Sequence, residues 1–229
     1  MKPFSATVGP ALRIALLVGT ILNVINHGVA HEAEHRDPAG SKIGMWLFLS
    51  TELLLFGGLF LLYSTYRFRY AADFHVAAVE LNRFLGAVNT LILLTSSFTM
   101  VMSIFYLGEG RKGHSMASLG FTILFGIVFL VNKYFEWSAK IHHGLYPGAV
   151  SLVARTPGEN IFYGLYYTMT GLHGFHVLAG ILLLSWVMAL MARGKVSPIN
   201  LIVLDNAGLY WHLVDIIWIY LFPLFYLIT

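Results

Sequence analysis

Five apolar runs limit what this sequence can fold into: residues 43–66, 84–106, 116–135, 160–191 and 205–227. Each is about as long as, or longer than, the roughly 20 residues a helix needs to cross a hydrocarbon core about 30 Å thick. Lipid offers backbone N–H and C=O groups no partner, so such segments are helices, whose hydrogen bonds are internal. The fourth run is longer than the bilayer requires and is expected to tilt or project. The fold class that follows is all-α, a polytopic transmembrane helix bundle with five strong spans.

Composition agrees: 58% of residues are hydrophobic and 11% charged, against a usual charged share of about 25%. The net charge of +3 is scattered over short loops, with no basic run to mark a nucleic-acid site. The absence of cysteine excludes disulfides, thiolate metal sites and iron–sulfur clusters, and leaves haem held by histidine open. Between the spans lie the loops RFRYAADFHVAAVELNR, GEGRKG and RGKVSP and an irregular stretch at 138–159.

Residues 1–42 form a separate N-terminal segment ahead of a membrane domain at 43–229. Within it, 14–25 is apolar but short, flanked by Arg13 on one side and Asn23, Asn26 and His27 on the other. It reads as a sixth membrane helix, as a helix lying in the interface, or, with Gly28 and Ala30 behind it, as a secretory signal. Arg36, Lys42, Arg111, Lys112, Arg193 and Lys195 fall on one set of alternate loops, and Arg67, Arg69, Arg83, Lys140 and Arg155 on the other. Six against five leans toward a cytoplasmic start for the first strong span.

HEAEH at 31–35 fits H-E-x-x-H, the pattern that holds zinc beside a general-base glutamate. Gly28 and Pro38 bound it to two or three helical turns, and no third ligand stands out downstream except His142 and His143. The expectation is a solvated linker, with a membrane zinc protease as the competing reading.

Ionisable groups inside the spans carry more information, since charge at mid-bilayer is costly. Glu52 has Phe48, Leu49, Leu55 and Phe56 at helical spacing, so its own helix cannot answer it. Either another helix supplies a partner or the carboxyl stays protonated. A proton-relay or ion-binding glutamate, as in a proton-coupled transporter, is the functional reading, and a neutral, hydrogen-bonded packing residue is the other.

Other polar residues have local explanations. His212 and Asp215, three apart, are expected to bond each other. Lys133, Glu136 and Lys140 form a ladder, with Glu136 and Lys140 in the favourable order. Asn89, Ser96, Thr99 and Ser103 line one helix face, a stripe suited to interhelical hydrogen bonds. His173 and His176 share a face of the fourth span, an arrangement that suits hydrogen-bonded histidines at a helix interface better than two axial positions on a haem.

In order along the chain, GMWLFLSTELLLFGGLF (44–60), NTLILLTSS (89–97), FTILFGIVFLVNKYFEW (121–137), TGLHGFHVLAG (170–180) and YWHLVDIIWIYLF (210–222) resemble the helices of subunit III of haem–copper respiratory oxidases. The resemblance covers about 43–227, in a short form with one candidate helix where the long form has two before the glutamate helix. It places Glu52 on the family's membrane-buried, carbodiimide-reactive glutamate and His173 and His176 on its paired histidines. Trp211, His212 and Asp215 fall on its W-H-x-V-D motif.

The resemblance implies an accessory subunit of an oxidase of the cytochrome c oxidase type. Such a chain has no catalytic residue and no metal or redox cofactor of its own; haem and copper belong to subunits I and II, with subunit I the main contact. It also implies bound phospholipid, support of proton uptake, and a place in a bacterial cytoplasmic membrane or its equivalent. Subunit III of a quinol oxidase and the accessory protein of nitric oxide reductase are the neighbouring alternatives.

Overall fold

The structure is a computed structural model, and it describes residues 38–227. The 14–25 segment and HEAEH lie outside the described residues. Among the described residues seven α-helices follow one another: α1 (Pro38–Arg69), α2 (Ala71–Val79), α3 (Arg83–Gly108), α4 (Lys112–His142), α5 (Val150–Val153), α6 (Pro157–Ala192) and α7 (Ile202–Phe222). A π-helical turn, Pro223–Leu227, closes the described chain. Among the described residues five helices are long and apolar enough to cross a membrane, and they are the five strong spans read from the sequence.

Two connections differ from the expectation. RFRYAADFHVAAVELNR is largely helical: α1 runs on to Arg69, and α2 buries Phe74, Ala77 and Ala78 while exposing Val76 and Val79. Nine residues give that amphipathic face too few turns to stand out beside the long apolar runs. Likewise, α4 continues through 138–142 because Lys140, on the face it shares with Lys133 and Glu136, is buried with them. The helix therefore has a packing reason to outlast its apolar run.

Local chemistry fixes the starts and turns. Asn82 caps α3 by accepting from the Leu85 N–H at 3.0 Å. Thr156 caps α6 by accepting from the Glu159 N–H at 3.4 Å, with proline at the first helical position. Gly110 and Gly194, at φ 75° and 74°, turn the chain after α3 and α6 in a backbone region that side-chain-bearing residues avoid.

The side-chain pairings set the directions of the spans. In α1 and α7 they advance together, from Ser41 with Asn206 through Phe48 with Tyr210 to Phe60 with Tyr220, so these helices are parallel. In α3 and α4 they run oppositely, from Ser103 with Ser115 to Asn89 with Asn132. The α7 helix is the central one: 50% of its most apolar window is buried inside the chain, against 11% for α1. The first helix therefore offers most of its surface to whatever surrounds the protein.

At the end where α1 finishes, α2 is tied to α6 by polar contacts. Glu80 accepts from the Tyr163 hydroxyl at 2.6 Å and from Arg155 at 2.8 Å, and Arg155 also reaches Glu159 at 2.8 Å. Partial burial alone would raise the Glu80 carboxyl; the hydrogen bonds from Tyr163 and Arg155 and the charges of Arg155 and Lys140 outweigh it and hold it below the usual range.

Candidate functional site

Glu52 is answered from another helix. Its Oε2 lies 2.9 Å from Nε2 of His176 on α6, with both side chains largely buried. The other ring nitrogen, Nδ1, lies 2.8 Å from the Leu172 carbonyl. A carbonyl only accepts, so Nδ1 carries a proton and Nε2 is the variable position. One proton must then lie between Nε2 and Oε2, as carboxylic acid with neutral imidazole or as carboxylate with imidazolium. Either way the pair is neutral overall, the state a hydrocarbon interior tolerates. Phe56 packs edge-on to the ring at 5.4 Å, and the Tyr210 hydroxyl donates to the His176 carbonyl at 3.0 Å.

This geometry predicts how Glu52 variants behave. In Glu52→Gln the carboxamide N–H can donate to Nε2, and the purified protein should unfold close to wild type. Glu52→Leu leaves a buried ring nitrogen unanswered, at a cost of about 1–3 kcal/mol. Equal losses in the two variants, measured by detergent-induced unfolding, would remove the hydrogen bond from the explanation.

His173 contrasts with its neighbour. It is fully buried, between an edge-on Phe129 ring at 5.5 Å and the Trp218 ring at 5.3 Å. Neither ring nitrogen has a hydrogen-bond partner among the described residues, which corrects the expectation of two hydrogen-bonded histidines. Both nitrogens of His176, by contrast, are engaged within the protein.

The expected bond between His212 and Asp215 is not made. Nδ1 of His212 pairs instead with the Ser97 hydroxyl on α3 at 2.7 Å. Asp215 is 3% exposed, and among the described residues the Ser97 hydroxyl is what faces its carboxyl, short of full hydrogen-bond geometry. An interhelical hydroxyl placed directly across from the ring wins over a neighbour one helical turn away.

The Lys133–Glu136 pair is real and larger than the sequence showed. Lys133 Nζ donates to Glu136 Oε2 at 2.9 Å and to the Tyr226 oxygen at 3.0 Å. Tyr226 and Tyr166 donate to Glu136 Oε1 at 2.6 and 2.9 Å. The carboxylate is thus fully subscribed. That explains why Lys140 departs from the expected ladder and donates to the Glu80 carbonyl at 3.3 Å. Tyr166 and Tyr226 were missed because nothing in YGLYY or PLFYL tells an inward phenol from an outward one. A buried lysine and glutamate in need of further partners was the available signal.

The polar stripe of α3 acts between helices. Asn132 donates to Asn89 at 2.9 Å, Thr99 pairs with Thr122 at 2.8 Å, and Trp211 donates to Ser96 at 3.1 Å. Among the described residues no group of three or more His, Cys, Asp or Glu is placed to hold a metal ion.

Comparison with known proteins decides the family. The model for cytochrome c oxidase subunit III matches residues 16–229. The chain belongs to the cytochrome c oxidase subunit III family. It is 33% identical over 202 residues to cytochrome c oxidase subunit 3 of Thermostichus vulcanus, covering 88% of this chain and 94% of that one. It is 32% identical over 208 residues to cytochrome bo(3) ubiquinol oxidase subunit 3 of Pseudomonas aeruginosa, covering 88% and 92%. A haem–copper oxidase subunit I+III of Aeropyrum pernix is 30% identical over 220 residues, 91% of this chain and 25% of that longer one. Subunit III membership implies association with other oxidase subunits in a membrane, and the five spans fit it.

Proposed function

We propose that this chain is the non-redox accessory subunit of a proton-pumping terminal oxidase of the cytochrome c oxidase type, seated beside the haem-bearing subunit I. The observation that carries this reading is the Aeropyrum pernix relative, in which subunits I and III are one chain. Fusion suits two proteins that pack side by side. The apolar face of α1, with Ile43, Trp46, Leu47, Leu54 and Leu61 exposed, is a surface for lateral packing. The host is a bacterial cytoplasmic membrane or its equivalent, subunit II is the further neighbour, and the chain supports proton uptake by the complex.

Phospholipid is the second ligand class. A groove of about 200 Å³ between α1 and α7 is walled by Trp46, Leu49, Leu53, Leu209, Leu213 and Ile216. Lys42 stands toward one end, where the groove shares Trp46, Leu209 and His212 with an adjoining cleft. Apolar walls with a cation at one end suit an acyl chain and its phosphate headgroup.

The relative from Pseudomonas aeruginosa supports a second reading, the equivalent subunit of a quinol oxidase. Purification in mild detergent followed by an optical spectrum tests the common core of both. Haem bands in the complex and none in this chain after dissociation are expected. A native preparation containing this chain alone, or only copies of itself, would overturn the proposal.

A further inference from the structure

We propose that His173 binds buried water and relays protons between the Glu52–His176 pair and the end of the bundle that carries α2. Six titratable groups stand in succession. Lys140, Glu136 and Lys133 share one face of α4, His173 and His176 lie one turn apart on α6, and Glu52 completes the line on α1. Two links are direct contacts, Glu136 to Lys133 at 2.9 Å and His176 to Glu52 at 2.9 Å. At the outer extreme Lys140 touches the Glu80 carbonyl, beside exposed chain.

His173 occupies the gap. The Lys133 ammonium lies 5.1 Å from the Trp218 ring and the His173 ring 5.3 Å from it, so both pack on one indole. His173 also sits within electrostatic reach of both Lys133 and His176. Its ring, fully buried, presents two nitrogens without a protein partner among the described residues. Neutral imidazole has one N–H donor and one lone pair, and buried groups of this kind are generally met by ordered water. An imidazole with water at its nitrogens can take a proton at one and release it from the other. Atoms balance without a further reactant, because each transfer only moves a proton along hydrogen bonds. The phenols of Tyr166 and Tyr226 hydrogen-bond Lys133, and the Tyr210 hydroxyl bonds the His176 carbonyl. The Glu80 carboxyl, within electrostatic reach of Lys140, and the Tyr167 phenol, within reach of Glu136, are further titratable neighbours of this line.

The competing route is lateral, through the α1–α7 groove past Leu49 and Leu53. Infrared spectroscopy on the detergent-solubilised protein, with whatever subunits accompany it, separates the two. Bands that vanish in Glu52→Gln identify the pair, and their shift after transfer into D2O is timed. In His173→Phe, which keeps the ring contacts with Phe129 and Trp218, the bands should persist while exchange slows by about tenfold or more. Unchanged exchange would overturn the relay and assign access to the groove. If His173→Phe does not assemble, a density map of the wild-type protein that resolves water decides. Ordered water within hydrogen-bonding distance of a His173 ring nitrogen is expected, and a dry ring would sink the idea.

Discussion

Replacing Glu136 by glutamine should destabilise the folded bundle by about 3–5 kcal/mol, the cost of leaving one member of a buried ion pair uncompensated. Lys133 is 8% and Glu136 3% exposed at the side chain, so water cannot take over the lost charge. Glutamine can still accept from Tyr166 and Tyr226, and what it fails to supply is the counter-charge for the Lys133 ammonium. The double variant Lys133→Met with Glu136→Gln removes both charges and should recover most of the loss, since a buried pair replaced as a unit is often nearly neutral. Detergent-induced unfolding of the two variants beside wild type is the measurement. A Glu136→Gln protein within about 1 kcal/mol of wild type would show that the charge is not what holds Tyr226 and its π-helical turn in place.

Trp211→Ala should cost a similar amount, about 3–5 kcal/mol, for a different reason. The indole is fully buried, and two glycines on different helices make room for it. A Cβ at Gly126 of α4 would lie 2.7 Å from Trp211 Cη2, and one at Gly180 of α6 would lie 2.8 Å from Cε3 and Cζ3. Removing the ring leaves a cavity between three helices and strips Ser96 of its donor. Gly180→Val should fail as well, by forcing the same ring out of place. If Trp211→Ala unfolds like wild type in the same assay, the wedge does not hold these helices together.

What could be read from the sequence divides along physical lines. The five spans were legible because lipid enforces one rule on every long apolar segment, and that rule needs no knowledge of neighbours. Glu52 was legible as a group in need of a partner, since its own helix offers none. That the partner is His176 was not, because contacts far apart in sequence leave no local trace. The His212–Asp215 and Glu136–Lys140 pairings failed for a common reason: spacing along a helix says which groups can meet, and competition from other helices decides which do. Ser97 takes His212, and a full set of donors on Glu136 sends Lys140 to Glu80. The short α2 escaped notice because its burial depends on the surface of α6 rather than on its own length.

The contact between Glu52 and His176 joins residues 124 positions apart. Synthesis at about 5–20 residues per second separates the appearance of the carboxyl from that of its imidazole by roughly 6–25 s. During that interval α1 is already long and apolar enough to leave the translocation machinery, and α6 does not yet exist. A newborn chain therefore carries its glutamate into the bilayer as an acid without a base. The later helices must find α1, and a helix so little covered depends on them for its retention.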